Sequence, residues 1–541
     1  MKWVVGGILA ASLLFGGTTR AGAVDFRFQG EILFGTGFLS SAFITERNGQ
    51  RTEAASADKF ATLQRFRLQM EAIASETLSS LLCLEVGDNL WGNNESFGGG
   101  GAALGTDGQF VKVRHAFMNW TVPDTSLSMR VGLQTVPAPH TAGGSSILNN
   151  EVAGIVASYR VTDNVGIFGA WLRPFNDNYS PADVSNVNRL DNLDLFMLSV
   201  PVSGNGWQVT PWGMLGMSGA NTFKGDERQY DFKNTILYMN LLPYSYLRAE
   251  ANGNMGRRFQ DRDYGRLLFI GLPVVVKVFE PLRIEADFNY GYSQGVGRYE
   301  ITDFRDHATR FAETWREGWL AKALVEYETE WGIPGVFGWY GSGDDGNVGN
   351  GSERMPAISP CGNFTSFVGD DPTGFGMLVS GLNATYDLQL NYAGTWGLGI
   401  QIKDVSFIED LTHTLRIARW AGTNSPAMIK YLASTDGAGN RMSYLTTHDS
   451  MIECNLDSVY TFSENLSAHI QFGYVLNQMD MGAWNPSYRH EDLKTADAYK
   501  ASAMLYYTFW GLSSLKKAKV LIGVSKANAK RPPAGLGGTF S

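Results

Sequence analysis

The sequence predicts an all-β fold, a closed antiparallel barrel of about 18 strands that spans a membrane. Three observations lead to this prediction: apolar and polar residues alternate in many short segments, the connections between segments alternate between short and long, and aromatic residues collect beside the short connections. The composition agrees. Glycine makes up 63 of the 541 residues, about 12% against about 7% in ordinary globular chains, and charged residues make up 18% against about 25%.

Residues 1–23 form a predicted export signal. Lys2 supplies a positive charge, Val4 to Phe15 an apolar core, and Ala21-Gly22-Ala23 a cleavage site of small residues. The apolar core is shorter than the ~20 residues that a membrane helix needs. We therefore expect cleavage before Val24 and export of the remaining chain.

The strand pattern is clearest in residues 282–290, where every second residue from Leu282 is apolar and those between are charged or carry an amide. This period of two directs one face of a strand to lipid and the other to water. About eighteen segments of roughly ten residues, the length of a tilted membrane strand, follow this pattern. They lie near 25–34, 59–73, 78–88, 109–121, 126–133, 151–161, 164–174, 191–202, 206–217, 266–279, 282–293, 315–330, 333–343, 391–402, 410–420, 447–461, 466–477 and 497–509.

The connections favour a membrane barrel over a soluble β-sandwich, because short turns alternate with long polar, Gly-rich loops and a sandwich has no reason to keep that order. Short periplasmic turns, long extracellular loops and both termini on the short-turn side are typical of barrels in the outer membrane of Gram-negative bacteria. The strand count stays open between about sixteen and about twenty, since the long connection 218–265 contains an apolar stretch from Thr235 to Leu247. The predicted short turns lie at 75–77, 122–124, 162–163, 203–205, 280–281 and 462–465, and the long loops at 35–58, 89–108, 134–150, 175–190, 218–265, 294–314, 344–390, 421–446 and 478–496.

Aromatic residues near the predicted short turns indicate a girdle at one membrane interface. The girdle residues are Trp120, Tyr159, Trp207, Phe279, Tyr327, Trp331, Tyr460, Phe462, Phe509 and Trp510.

Three segments resemble the trimeric outer-membrane porins of sulfate-reducing bacteria: GWYGSGDD from Gly338, LRPFNDN from Leu172 and FIEDLTHTL from Phe407. The resemblance extends over most of 24–510. It implies a homotrimeric, water-filled barrel that passes small hydrophilic solutes. Small outward residues on the predicted strand 151–161, Ala153 and Ala157, are compatible with packing against a neighbouring barrel and equally with lipid.

The predicted domain organisation is a signal peptide at 1–23, a barrel at 24–510 and a basic tail at 511–541. The barrel is predicted to end at Trp510, on the aromatic residue typical of such barrels. The tail carries basic residues and no acidic one, which favours translation past the true end over an appended periplasmic segment, with both alternatives open. Its basic residues are Lys516, Lys517, Lys519, Lys526, Lys530 and Arg531.

The sequence gives little indication of catalysis, so we expect that the protein is not an enzyme and binds no cofactor. The sequence has no nucleophile elbow, phosphate loop or zinc-protease motif, and its histidines are scattered. A barrel hydrolase using His469, or an adhesin, remains a minor alternative. Asp344 and Asp345 are weak candidates for calcium ligands. A simple turn is the favoured interpretation of this segment.

The predicted function is a general diffusion porin for small hydrophilic solutes and ions, with a substrate-specific channel as the alternative. Strand-like alternation begins at Phe26, which leaves no room for the plug domain of an energy-coupled receptor. The expected partners are outer-membrane lipid, solutes and further copies of the chain, and no nucleic acid. The loop 134–150 is the third long loop, which folds inward in general porins, so by this resemblance it is the candidate for narrowing the pore. Its candidate residues are Pro137, Pro139, Gly143 and Gly144.

Inward-facing charges are predicted to form two opposed walls with a transverse field across the water column. The alternative is that these charges are solvated and pair with their neighbours. Because acids outnumber bases over the chain, which has a net charge of −9, we expect a weak preference for cations. The predicted basic wall is Arg65, Arg67, Arg114 and Arg130, and the acidic wall is Glu285, Asp287, Glu326, Glu453 and Asp457.

Overall fold

The computed structural model describes most of the mature chain. The described residues are 24–40, 43–51, 60–93, 101–102, 111–178, 190–222, 241, 255–295, 297–367, 392–431, 445–485, 487 and 492–513. The predicted signal peptide 1–23, the stretch from Thr235 to Leu247 apart from Leu241, and residues 514–541 of the predicted tail lie outside them.

Eighteen strands form one barrel wall, in agreement with the predicted all-β fold and strand number. Two of them, β8 and β9, are each interrupted once. The strands are β1 Asp25–Ser40, β2 Phe60–Ser75, β3 Leu78–Trp91, β4 Val111–Thr121, β5 Leu127–Pro137, β6 Asn149–Arg160, β7 Gly166–Asn176, β8 Asn192–Ser199 with Val202–Gly204, β9 Trp207–Val209 with Trp212–Gly219, β10 Tyr264–Val276, β11 Leu282–Ser293, β12 Arg316–Tyr327, β13 Ile333–Gly341, β14 Thr395–Ile408, β15 Leu411–Gly422, β16 Ser450–Ser463, β17 Leu466–Gln478 and β18 Ala498–Ser513.

The wall is closed because β1 pairs antiparallel with both β2 and β18. Each of the other strands pairs with its sequence neighbours in the same antiparallel way. Closure leaves no strand edge with unpaired backbone groups, which is what a barrel requires inside lipid. The last strand continues to Ser513, three residues past the aromatic Trp510 at which the barrel was predicted to end.

Alternation along each strand produces an apolar exterior and a polar interior. On β11, Glu285, Asp287 and Asn289 are buried on the inner face, whereas Phe288 between them is exposed on the outer face. Nine of the ten predicted girdle residues, all except Phe509, are likewise exposed. This apolar outer surface, rimmed by aromatic side chains, is the surface that a barrel presents to lipid.

The connections keep the predicted order of short turns at one end and long loops at the other. Asp124 and Asp410 occupy short turns with φ of 59° and 63°, a left-handed conformation that Asp tolerates better than most residues. At the opposite end, the loops carry two small sheets of their own. One contains Ile44–Arg47, Gln50–Arg51 and Leu493–Thr495, and the other Met255–Gln260, Gly297–Asp303 and Ala308–Glu313.

Helices are short in the described part of the chain. They are the α-helix Met481–Trp484 and the 3₁₀-helices Val348–Asn350 and Pro426–Tyr431. Within the same described residues, no helix has the length and hydropathy needed to cross a membrane.

The closed wall, the even strand number, the apolar exterior and the short turns at one end are the features of Gram-negative outer-membrane barrels. The chain is therefore an outer-membrane protein.

Candidate functional site

The loop after β5, residues 138–148, lies inside the barrel. The Thr141 hydroxyl donates a hydrogen bond of 2.9 Å to the Ala286 carbonyl oxygen on β11. The Lys322 ammonium group on β12 donates to the Gly144 carbonyl oxygen. Because β11 and β12 are the sixth and seventh strands along the wall from β5, these contacts require the loop to cross the lumen.

The four residues predicted to narrow the pore lie at this loop. Pro137 ends β5 and Pro139 is half-buried at the entrance of the loop. Gly143 and Gly144 have φ of 70° and 79°, a region that favours glycine. A Cβ atom at Gly143 would also lie 2.4 Å from the Phe364 ring, so a larger residue would displace that ring.

A second loop segment, residues 352–367 after β13, also lies inside the barrel and is joined to the first. Cys361–Gly362 pairs antiparallel with Gly144–Ser145. The Asn363 amide donates to the Gly143 carbonyl oxygen at 2.9 Å. We call the two segments together, 138–148 and 352–367, the inner shelf.

Sequence reasoning missed the second half of the shelf. The available signal was a set of apolar residues inside a long polar loop, all of which the structure buries. They are Met355, Ile358, Phe364 and Phe367.

Aromatic stacking fixes the shelf to β13. The Phe364 ring stacks on Phe337 and Trp339, with centroids 5.0 Å and 5.6 Å away. The Phe364 amide donates to the Tyr392 hydroxyl at 2.9 Å. Phe337 and Trp339 are buried on the inner face of β13, so the shelf packs directly on the wall.

Glu453 on β16 holds the far end of the shelf. One carboxylate oxygen accepts from the Thr365 hydroxyl at 2.9 Å, and the other accepts from the Phe367 amide at 2.9 Å. The Trp420 indole N–H also donates to Glu453, at 3.1 Å. This predicted acidic-wall residue is 1% exposed and contacts the shelf.

Asp287 is also covered by the shelf. Its carboxylate lies 3.1 Å from the Lys322 ammonium group, and both side chains are 0% exposed. Lys322 itself contacts the shelf at Gly144. Sequence reasoning did not single out Lys322, although it stands on the inner face of β12 opposite Asp287.

The remaining predicted acidic residues pair with bases on neighbouring positions. Glu285 pairs with Arg283 on the same strand, and Glu326 pairs with Lys403 on β14. Asp457 accepts from Arg416 at 2.6 Å and from Gln471 at 2.7 Å. The structure therefore places a base beside each of these three acids.

The predicted basic residues lie together on β2 to β5, and two of them, Arg67 and Arg114, contact acids. Arg67 lies between Glu85, at 2.7 Å, and Glu31, at 3.0 Å. Arg114 contacts Glu85 at 2.8 Å and also Glu151. Sequence reasoning missed these three glutamates, although β1 and β3 place Glu31 and Glu85 directly opposite Arg67.

Arg65 and Arg130 complete the predicted basic set. Arg65 is half-buried on the same face of β2 as Arg67. Arg130 on β5 donates to the Asn119 side-chain oxygen at 2.8 Å, and its guanidinium lies 4.3 Å from the centre of the Phe117 ring. Arg130 therefore has a neutral partner, unlike Arg67 and Arg114.

A cavity of about 480 Å³ lies against β4 to β7. Its lining includes Asn119, Arg130, Gln134, Ser158 and Phe168. It is bounded by Pro137, the last residue of β5 before the shelf, and no shelf residue lines it.

The weak calcium candidate Asp344 and Asp345 is joined by Glu353, and ligand oxygens of the three lie within 4.8 Å of one another. Asp344 accepts from the Gly346 amide at 2.9 Å, and Asp345 from the Asn347 amide at 2.7 Å. These are the hydrogen bonds of a turn. Burial raises the pKa of Glu353, which lies outside the wall strands.

His469, the residue of the hydrolase alternative, is half-buried on β17. Its ring nitrogen Nε2 lies 2.9 Å from the Ser467 hydroxyl oxygen.

No family model and no curated protein matches the chain. Solved structures with a similar outline include the outer membrane protein OpdK of Pseudomonas aeruginosa, at 9% identity and a TM-score of 0.46, covering 90% of this chain and 99% of that one. OccAB3 of Acinetobacter baumannii has 10% identity and a TM-score of 0.46, and the match covers 90% of this chain and 100% of that one. OccK5 (OpdH) of Pseudomonas aeruginosa has 12% identity and a TM-score of 0.43, and the match covers 90% of this chain and 98% of that one. Likeness at this level carries no conclusion about function.

Proposed function

We propose that the chain is a general diffusion porin, a water-filled channel through the outer membrane for small hydrophilic solutes and ions. The observation that supports this most is a closed wall of eighteen strands whose inner face carries ion pairs and amides. Barrels of 16–18 strands are wide enough to leave an aqueous channel. The inner shelf narrows this lumen. Pro137 leads into its first segment, and Pro139, Gly143 and Gly144 shape that segment.

Liposome swelling tests this proposal. Vesicles that contain the refolded full-length chain are placed in isotonic sugars of increasing size. We expect swelling rates that fall steadily with sugar size and do not saturate. The absence of swelling with the smallest sugars, while circular dichroism shows a folded barrel, would contradict the proposal.

A substrate-specific channel is the second candidate, and the cavity beside Arg130 favours it. Its volume of about 480 Å³ falls in the range of roughly 300–1,000 Å³ that is common for small-ligand sites. A specific channel predicts that the uptake of one solute saturates and that a chemically similar solute competes with it. A linear dependence on concentration for every solute tested would exclude this candidate.

We also propose a homotrimer. Ala153 is exposed on β6 and Ala157 is half-exposed, and such small side chains allow the flat packing of one barrel on another. Native mass spectrometry in a mild detergent measures the assembly directly. A monomer in detergent that preserves the β-sheet circular dichroism signal would reject the trimer.

A further inference from the structure

Three of the short turns at the periplasmic end of the barrel are neighbours, because the strands that they join lie side by side in the wall. The Thr461 amide beside the last of them donates to the Asp410 carbonyl oxygen in the middle one, at 2.9 Å. The first turn abuts the middle one where Ile333 pairs with Lys403 across β13 and β14. We call these turns together the turn patch, and its residues are 328–332, 404–411 and 462–465.

The turn patch carries exposed acids and no lysine or arginine. Lys403, immediately before the middle turn, pairs with the buried Glu326 on β12. In the part of the chain that the structure describes, none of the patch acids has an ion-pair partner. These exposed acids are Glu328, Glu330, Asp404, Glu409, Asp410 and Glu464.

Large apolar side chains lie among these acids. Phe407 is 84% exposed and Ile408 is 62% exposed, while Trp331 and Phe462 are 59% and 56% exposed. A surface that combines exposed apolar area with one sign of charge suits a partner that carries apolar residues and the opposite charge.

The other short turns of the barrel differ from the patch. The four turns between β2 and β9 carry three exposed acids between them, Glu76, Asp124 and Asp163. The turn after β10 has one exposed acid, Glu280, together with an exposed base, Lys277. Negative charge at the periplasmic end is therefore concentrated on the turn patch.

The chain leaves the wall beside this patch. β18 pairs with β17 as far as Tyr507, and the Thr508 amide then donates to the Asn465 carbonyl oxygen in the last turn of the patch, at 2.9 Å. From there β18 continues to Ser513, paired with β1 on its other side. The residues after Ser513 therefore begin at the periplasmic end, next to the patch.

The sequence that follows complements the patch in charge and in apolar character. Residues 514–526 contain Lys516, Lys517, Lys519 and Lys526, no acid, and the apolar run from Val520 to Ile522. Such a segment spans up to about 40 Å when extended. The five strand spacings from β18 to β13, at about 4.8 Å each, amount to about 24 Å. The segment is long enough to reach all three turns.

We propose that the turn patch is a docking site for residues 514–526 of this chain. The lysines of the segment pair with acids such as Glu409, Asp410 and Glu464, and its apolar run covers Phe407 and Ile408. The inference takes the basic tail as an appended periplasmic segment, one of the two alternatives that the sequence leaves open. It does not depend on the proposed channel function.

Trypsin cleavage within 514–526 measures the docking, because a bound segment is cut slowly. The folded full-length chain is digested in a neutral detergent, and mass spectrometry follows cleavage after the lysines of the segment. In the variant Glu409→Gln with Asp410→Asn and Glu464→Gln, we expect cleavage to be about tenfold faster at low salt, a gain that several exposed ion pairs supply together. High salt is expected to shrink the difference, since it screens exposed charges.

The matched control neutralises three exposed acids on the other turns, Glu76→Gln with Asp124→Asn and Asp163→Asn. It is expected to be cut at the wild-type rate. Equal rates for the wild type and the patch variant, both with the circular dichroism of a folded barrel, would overturn the inference.

Carbodiimide cross-linking, which joins a lysine directly to a carboxylate that it contacts, locates the site. We expect cross-links from Lys516, Lys517 or Lys519 to Glu409 or Glu464 in the wild type. Glu409→Lys with Glu464→Lys is expected to lose them, and the further exchange Lys516→Glu with Lys517→Glu is expected to restore cross-links between the same positions. Cross-links that favour the control acids, or none in either the wild type or the exchanged variant, would overturn the inference.

Anionic lipid is the competing partner for a basic segment. The digestion is therefore repeated in lipid nanodiscs, which leave both ends of the barrel accessible. Slow cleavage in phosphatidylcholine that is lost in the patch variant supports the inference. Slow cleavage that requires phosphatidylglycerol and is unchanged in the patch variant would overturn it and assign the segment to the membrane surface.

Discussion

Two parts of the inner wall are built from the same kind of ion pair, but only one of them faces water. Under the shelf, Lys322 and Asp287 are wholly buried. Near the short turn, the Arg283 side chain, which pairs with Glu285, is 46% exposed on the same face of the same strand, β11, four positions from Asp287. The comparison teaches that the segment covering the wall, and not the residue type, decides whether a charge holds the structure together or acts on solutes.

The largest expected effect is a change in conductance when part of the inner shelf is removed. Deleting residues 138–146 removes most of the first shelf segment together with its contacts to Ala286, Lys322 and Cys361. We expect a clear rise in single-channel conductance. The control is deletion of 305–307, a turn in an outer-loop hairpin, which is expected to change conductance little. Unchanged conductance in the shelf deletion would mean that this segment does not narrow the path.

The next largest effect is on stability, from breaking the covered ion pair. Lys322→Met leaves the Asp287 carboxylate buried without its counter-ion, which costs about 3–5 kcal/mol of unfolding free energy. Urea denaturation of the barrel in detergent micelles measures this loss. The double variant Lys322→Met with Asp287→Leu is expected to recover most of it, since a matched apolar pair avoids the buried charge. A single variant as stable as the wild type would show that the pair is open to water.

A smaller effect is expected at the other end of the shelf. Glu453→Leu leaves the Thr365 hydroxyl, the Phe367 amide and the Trp420 indole N–H without their acceptor. An unsatisfied buried polar group costs about 1–3 kcal/mol. Glu453→Gln keeps an acceptor oxygen and serves as the matched control, with a smaller loss by the same denaturation measurement. Equal losses for the two variants would indicate that charge, and not hydrogen bonding, holds this end.

The smallest effect is a pH dependence outside the wall strands. Burial raises the pKa of the Asp191 carboxyl to about 6, whereas the unfolded carboxyl titrates near 3.9. Between these values the folded state holds a proton that the unfolded state has released, so this residue's contribution to stability falls as pH rises from about 4 to about 6. Asp191→Asn is expected to lose this part of the pH dependence. Parallel stability profiles for variant and wild type would contradict the assignment.

The sequence predicted the wall well because the wall depends on local patterns. Alternation located all eighteen strands, and turn residues such as Asp124 marked the short connections. The pattern also predicts which charges face inward. Alternation cannot show whether something covers an inward residue, and so it does not distinguish Asp287 from Arg283.

The shelf could not be predicted in the same way, since its contacts join distant parts of the chain. Gly144 pairs with Gly362 across a short two-stranded sheet, and the Thr365 hydroxyl donates a hydrogen bond to Glu453. Such pairs leave no periodic signal in the sequence. Lys322 was missed for the same reason, because its importance comes from the loop that crosses the lumen to reach it.

Single-channel recording of the full-length chain tests the central claim most directly, which is that an open water path remains beside the inner shelf. In planar bilayers the account predicts discrete current steps whose conductance rises with KCl concentration. A folded barrel that inserts into the bilayer and yields no current steps would contradict it.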